Sequence, residues 1–92
     1  MILTKKQKQI IHTILIVEEV RGIADLDSVL ESLPYKTSKE SFQFSLRALI
    51  EKRLLTKGEL RKRSEGGQNR RTLLLTTLGR AFAKQIARVG MS

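Results

Sequence analysis

The sequence predicts one small, mainly α-helical domain that carries a single β-hairpin, in the order helix, helix, helix, hairpin, helix. Three observations support this prediction: apolar residues recur at helical spacing in four stretches, a basic, Gly-containing segment interrupts that spacing, and 92 residues leave room for one hydrophobic core. We therefore expect residues 1–92 to form a single domain, with the hairpin at about residues 55–76 and the last helix at about residues 77–89.

The first helix is predicted from its two ends. Thr4 and Gln7 have the spacing of a capping box, and Gly22 is a residue type that commonly follows a helix. The apolar residues between these ends recur at helical spacing. We expect a helix at about residues 5–21.

The second helix follows after a short connection. Ile23 and Ala24 are compatible with a very short strand or with a simple extended link. Asp25 can cap the helix, and Pro34 ends it because the residue before a proline is pushed out of the α region. One face of this helix is apolar and consists of Leu26, Val29, Leu30 and Leu33.

The third helix is expected at residues 38–53. Thr37 with Glu40 is the better capping box at its start, and Ser38 with Ser41 is the alternative. Its apolar stripe, which we expect to face the core, consists of Phe42, Leu46, Leu49 and Ile50.

The hairpin is predicted from two strand-like segments around a flexible turn. Residues 57–63 and 70–75 read as the two strands, and residues 64–69 between them are rich in types that tolerate positive φ. Thr76 or Thr77 can then cap the last helix, whose apolar stripe consists of Leu78, Phe82, Ile86 and Val89.

Basic residues are concentrated in the C-terminal part of the chain. Residues 1–35 carry four basic and five acidic side chains, whereas residues 36–92 carry fourteen basic and four acidic ones. Clustered Lys and Arg favour a polyanionic partner, because binding releases condensed counterions. A solvated basic surface and a membrane surface are the alternatives. The densest basic cluster lies on the hairpin and not opposite an apolar helix face, which counts against the membrane.

The sequence lacks the residues that most catalytic and metal sites require. It has no Cys and one His, so disulfides, thiolate metal sites and multi-histidine clusters are excluded. We find no paired carboxylates on an apolar face, no nucleophile beside a base and no phosphate-binding Gly loop before a helix. We expect a cytoplasmic protein that is not an enzyme, binds no cofactor or metal, and has neither a signal peptide nor a membrane span.

Three short stretches between Ser38 and Ala83 carry a family resemblance through their order and spacing. They are Leu49-Ile50-Glu51-Lys52-Arg53-Leu54-Leu55, Asn69-Arg70-Arg71 and Leu75-Thr76-Thr77-Leu78-Gly79-Arg80. They resemble, in turn, the exit from the recognition helix, the Asp-Arg wing signature and the Leu-Thr-x-x-Gly-Arg helix entry of the MarR-type branch of winged-helix transcription regulators. Two positions depart from the family pattern: Arg53 stands where Gly is usual, and Asn69 where Asp is usual.

The resemblance implies a winged helix-turn-helix fold and double-stranded DNA as the partner. Because the chain lacks the family's long terminal helices, we expect no small-molecule effector. In this architecture the third helix enters the major groove, where the candidate base contacts are Ser38, Lys39, Ser41, Gln43 and Arg47. The hairpin is the wing, and its candidate contacts to the DNA backbone or minor groove are Lys57, Arg61, Lys62, Arg63, Gln68, Asn69, Arg70 and Arg71.

Two apolar features have more than one interpretation. Phe44 lies on an otherwise polar helix face and could contact a thymine methyl, pack against a partner subunit or be partly buried in the core. The stripe of Leu78, Phe82, Ile86 and Val89 either closes the core or forms a homodimer seam, and we expect the homodimer. An RNA-binding or protein-interaction module is the alternative function, against which the few aromatic residues and the basic hairpin count.

Overall fold

The computed structural model describes residues 2–61 and 70–89, which form four helices and a three-stranded antiparallel sheet. In chain order the elements are α1 (Lys5–Arg21), β1 (Ala24–Asp25), α2 (Leu26–Ser32), α3 (Lys39–Glu51), β2 (Leu55–Arg61), β3 (Arg70–Leu75) and α4 (Thr77–Val89). The mainly helical prediction and its element order are confirmed. β2 and β3 form the predicted pair of strands, and β1, in the segment left open between a very short strand and an extended link, joins them as a third strand.

The ends of α1 follow the local chemistry that the sequence predicts. The Thr4 hydroxyl accepts a hydrogen bond from the Gln7 N–H, and the Gln7 side chain accepts one from the Thr4 N–H, which completes the capping box. Gly22 ends the helix in the left-handed region with φ of 83°. Asp25 caps α2 by accepting from the Ser28 N–H at 2.8 Å.

The start of α3 differs from the preferred prediction. The N-cap is Ser38, whose hydroxyl accepts from the Ser41 N–H at 3.1 Å, so the prediction that Thr37 and Glu40 form the cap is wrong. The helix begins one residue later than that pair requires, and Glu40 is then too early in the first turn to close a capping box. The far end is shorter than predicted, since the helix ends at Glu51.

β3 is the central strand of the sheet, in the order β1-β3-β2. Ala24 pairs with Leu73, which makes the segment after α1 a very short strand and not merely an extended link. β2 pairs with β3 from Leu55, opposite Leu75, and the register shifts between Lys57 and Leu60. The predicted turn between the two strands falls within residues 62–69, outside the described residues.

The core lies between the helices and one face of the sheet. α1 crosses the middle of the domain and packs against α4, α2 and the strands. Phe42, Leu46 and Leu49 hold α3 on this core, as predicted, and Ile50 is only partly buried. The opposite side of α3 therefore faces outward.

A set of contacts, which we call the α4 bracket, joins the turn at residues 53–54 to the first turn of α4 at residues 76–79. The Thr76 N–H donates to the Leu54 carbonyl at 3.1 Å, and the Thr76 hydroxyl donates to the Arg53 carbonyl at 2.6 Å. The same hydroxyl accepts from the Gly79 N–H at 3.0 Å. Gly79 lies so close to Leu54 that an added Cβ would overlap the Leu54 carbonyl oxygen.

The next residue joins α4 to α1. Arg80 Nη2 lies 2.7 Å from Glu18 Oε1, and both side chains are partly buried. The other carboxylate oxygen of Glu18, Oε2, is buried without a hydrogen-bond partner. The helix entry at residues 75–80 thus serves the fold: Thr76, Gly79 and Arg80 fix α4 against α1 and the turn after α3.

Candidate nucleic-acid interface

The outer face of α3, defined as Glu40, Gln43, Phe44, Arg47 and Glu51, is exposed along its whole length. These residues recur at helical spacing on the side opposite the buried stripe. Two of the five residues, Glu40 and Glu51, are acidic, and one, Arg47, is basic. The face is therefore polar and slightly acidic, apart from one aromatic ring.

The start of α3 is partly engaged within the protein. Ser38, a predicted base contact, uses its hydroxyl as the N-cap. Lys39 Nζ lies 3.5 Å from Asp27 Oδ1 of α2, and both side chains remain substantially exposed. Ser41 donates its N–H to the cap, and its side chain is exposed. Of the five predicted base-contact residues, Gln43 and Arg47 lie farthest along α3 from its N-cap, and both side chains are exposed.

A groove of about 670 Å³ lies between α3 and β2. Ile50 and Leu55 contribute apolar surface to its lining, and three cations from three elements surround it: Arg47 of α3, Arg53 of the following turn and Lys57 of β2. We call it the α3–β2 groove. It brings together the predicted contacts Arg47 and Lys57, and its remaining lining residues are Glu51, Thr56 and Thr76.

Arg53 was not among the predicted contact residues. It has φ of 61°, the left-handed region that favours glycine and costs an L-residue roughly 1–2 kcal/mol. Two hydrogen bonds close the turn around it, from the Arg53 N–H to the Ile50 carbonyl and from the Leu54 N–H to the Leu49 carbonyl. This is a Schellman motif with arginine in the usual glycine position. The departure from Gly at this position was the sequence signal that could have identified it.

The first turn of α1 lies beside the end of α3. Lys52 Nζ donates to the Ile2 carbonyl and to Gln7 Oε1, each at 3.2 Å, which holds the start of α1 beside the end of α3. Lys6 Nζ lies 5.6 Å from the centre of the Tyr35 ring, in the turn that precedes α3. Burial raises the pKa of the Tyr35 hydroxyl. Lys6 of this turn thus lies near the segment that precedes α3, and Lys52 lies where the start of α1 meets the end of α3.

The described part of the β2–β3 pair contains some of the predicted backbone contacts. Lys57 and Arg71 are exposed, and the main chains of Arg61 and Arg70 face each other in register. The other predicted contacts on this segment lie outside the described residues: Lys62, Arg63, Gln68 and Asn69.

Phe44 is 75% exposed, which excludes the interpretation that it is partly buried in the core. Its neighbours along the outer face of α3 are polar or charged. The other large exposed apolar residues of the described chain lie on other elements: Ile2, Ile16, Val20, Leu74, Leu78 and Val89.

The apolar stripe of α4 is divided between the core and the surface. Ile86 is only 6% exposed and Phe82 packs partly buried against the core, so Ile86 has no free surface for a partner. Leu78 and Val89 are 44% and 66% exposed. The exposed part of the predicted seam is therefore Leu78, Val89 and part of Phe82.

The described residues hold neither a cluster of metal ligands nor a helix that could span a membrane. Within 2–61 and 70–89, no His, Cys, Asp and Glu side chains form a group of three that could hold a metal ion. None of the helices in those ranges has the length and apolar character needed to cross a bilayer.

Comparison with known proteins yields a likeness of fold. No protein-family model and no curated protein matches the sequence. Among solved structures, the chain is similar to the crystal structure of AF1382 from Archaeoglobus fulgidus, with a TM-score of 0.74. The match covers 96% of this chain and 87% of that chain at 16% sequence identity. At this identity, the likeness shows that the two chains share a fold.

Proposed function

We propose that this chain is a non-enzymatic winged-helix protein that binds double-stranded DNA, a minimal relative of MarR-type transcription regulators. In this proposal α3 lies in the major groove and presents Gln43 and Arg47 to base edges. The β2–β3 pair is the wing, and its basic residues contact the DNA backbone or the minor groove.

The observation that carries the proposal is the distribution of charge around α3. The outer face of the helix carries two carboxylates and one cation, whereas Arg53 and Lys57 line the α3–β2 groove beside it and Lys6 lies over Tyr35 in the segment before it. In a duplex, phosphates line the two edges of the major groove and base edges lie between them. A polar helix face with cations beside it supports that arrangement.

Phe44 fits the same arrangement. A large exposed apolar patch marks a protein interface, whereas Phe44 is a lone apolar residue among polar neighbours on the outer face of α3. A single apolar side chain is sufficient to contact the methyl group of a thymine in the major groove. We therefore favour the thymine contact over a partner subunit at this position.

The proposal includes a homodimer. Two copies would read two half-sites about 10 base pairs apart, and the exposed stripe of Leu78, Phe82 and Val89 on α4 is the candidate contact. Analytical ultracentrifugation of wild type and of Leu78→Ser/Val89→Ser tests this part separately. A sedimentation coefficient of a monomer for the wild type, free and DNA-bound, would remove the dimer from the proposal without affecting DNA binding.

The main test measures affinity for random duplex DNA, duplex RNA and single strands across a salt series. We expect tight duplex-DNA binding whose logarithm falls linearly with the logarithm of salt concentration. Lys57→Ala should reduce the magnitude of that slope by about 0.9, the value for one lost phosphate contact. Arg47→Ala should instead change which sequences are enriched from a random library.

A matched control separates site effects from overall charge. Lys84→Ala removes one exposed positive charge from α4, which does not line the α3–β2 groove, and should leave the slope nearly unchanged. Equal effects of the Lys57 and Lys84 substitutions would show that only net charge matters. Preference for single strands or RNA over duplex DNA would refute the proposed function.

A further inference from the structure

Arg53 combines an unfavourable backbone conformation with a side chain that the fold does not use. Its N–H and carbonyl take part in the turn and in the α4 bracket, and both are main-chain groups that any residue supplies. The Arg53 side chain is exposed and forms no hydrogen bond or ion pair within the described residues. Glycine at this position would keep every main-chain contact and relieve the left-handed φ of 61°.

The guanidinium belongs to a cluster of like charges. Arg47, Arg53 and Lys57 come from three different elements and line the same groove, where Glu51 is the one acidic residue among the lining residues that the structure describes. The three positive charges repel one another when no anion is bound, and they attract an anion that enters the groove. Arginine also offers a planar set of donors that fits two oxygens of a phosphate at once.

We infer that Arg53 is a phosphate-binding residue of the α3–β2 groove, retained for contact with a phosphodiester of duplex DNA although glycine would make the fold more stable. This inference rests on the proposed function. It places a contact to the DNA backbone at the junction of α3 and β2. This junction lies between the helix proposed to enter the major groove of DNA and the strand that leads into the wing.

Three substitutions in the full-length chain test the inference: Arg53→Gly, Arg53→Asn and Arg53→Lys. Glycine relieves the strain and removes the charge, asparagine removes the charge with a residue that tolerates the left-handed region, and lysine keeps the charge. For each variant, Tm is measured by circular dichroism, and affinity for a random duplex is measured across a salt series. Lys84→Ala again serves as the control for net charge.

The expected results for stability and binding have opposite signs. Arg53→Gly should raise Tm by about 4 °C, because relief of the strain outweighs the added chain entropy. The same variant should bind duplex DNA about threefold to fivefold more weakly at 0.15 M salt, with a slope reduced by about 0.9. Arg53→Asn should lose the same affinity, and Arg53→Lys should bind within about twofold of wild type.

Each contrary result overturns a definite part of the argument. If Arg53→Gly and Arg53→Asn bind as tightly as wild type, Arg53 contacts no phosphate, while the proposed function stands. If Arg53→Gly lowers Tm, arginine stabilises the turn and is not retained against strain. If wild type itself shows no affinity for duplex DNA while it is folded, the proposed function fails and this inference fails with it.

Discussion

Substitution of Gly79 by alanine tests the α4 bracket, because two physical effects predict opposite signs. In an exposed helix, alanine is more favourable than glycine by about 1 kcal/mol, so the substitution would stabilise α4. In this structure, however, a Cβ on Gly79 would overlap the Leu54 carbonyl oxygen and lie 2.8 Å from its carbonyl carbon. Real Cβ atoms do not approach main-chain atoms this closely.

The clash should outweigh the gain in helix propensity. The obstructing atoms belong to the main chain, and the Leu54 carbonyl already accepts a hydrogen bond from the Thr76 N–H, so neither side can move without loss of contacts. Overpacking of this kind costs about 3 kcal/mol. After subtraction of the gain of about 1 kcal/mol in helix propensity, the free energy of unfolding falls by about 2 kcal/mol. For a domain of this size that loss lowers Tm by about 8–16 °C.

Urea unfolding monitored by circular dichroism measures the effect. Gly22→Ala is the matched control: Gly22 has a left-handed φ of 83° but open space around it, so its substitution should cost only the roughly 1–2 kcal/mol of the unfavourable φ. If Gly79→Ala is as stable as wild type or more stable, helix propensity outweighs the contact. The close approach of α4 to Leu54 would then not be a constraint on this fold.

Three further results are expected. Arg80→Ala should destabilise the fold by about 1–3 kcal/mol, because Glu18 would lose its partner at Oε1 beside an already unpaired Oε2. The double variant Glu18→Ala/Arg80→Ala should recover part of this loss, whereas additive losses in the two single variants would show that the two side chains are not coupled. Thr76→Val should cost about 1–2 kcal/mol by urea unfolding, whereas Thr77→Val on the exposed side should cost less than about 0.5 kcal/mol. Phe44→Ser should change the free energy of unfolding by no more than about 0.5 kcal/mol, because the side chain is exposed. Replacement of the thymine that Phe44 is proposed to contact by uracil should weaken DNA binding of the wild type about fourfold and leave that of the variant unchanged, and equal losses of affinity in both proteins would exclude the methyl contact.

The sequence predicts the helices well where their ends depend on local chemistry. Thr4 with Gln7 and Gly22 with its left-handed φ are complete signals, because all of their partners lie within four residues along the chain. The start of α3, by contrast, does not depend on local chemistry alone. Thr37 and Ser38 both offer a hydroxyl at the right place, and the geometry of the chain between α2 and α3 decides between them.

Features that depend on distant contacts could not be predicted. β1 has two residues, too few for any periodicity, and it exists because β3 pairs with it from almost 50 residues away. The sequence shows Arg53 at a position where the family pattern has Gly, but the left-handed φ of 61° and the contact role were not predicted from that departure. The α3–β2 groove likewise appears only when the turn after α3 brings β2 beside the helix, so Arg47 and Lys57 were predicted as separate contacts.

The α4 bracket and the outer face of α3 share no residues, which has a consequence for how proteins of this shape diversify. The bracket uses main-chain atoms and the small residues Thr76 and Gly79, whereas Gln43 and Arg47 contribute nothing to it. Substitutions on the outer face are thus nearly free of cost in folding, while those in the bracket are not. Under the proposed function, a lineage built on this scaffold could change its DNA target one outer residue at a time, and each intermediate would still fold.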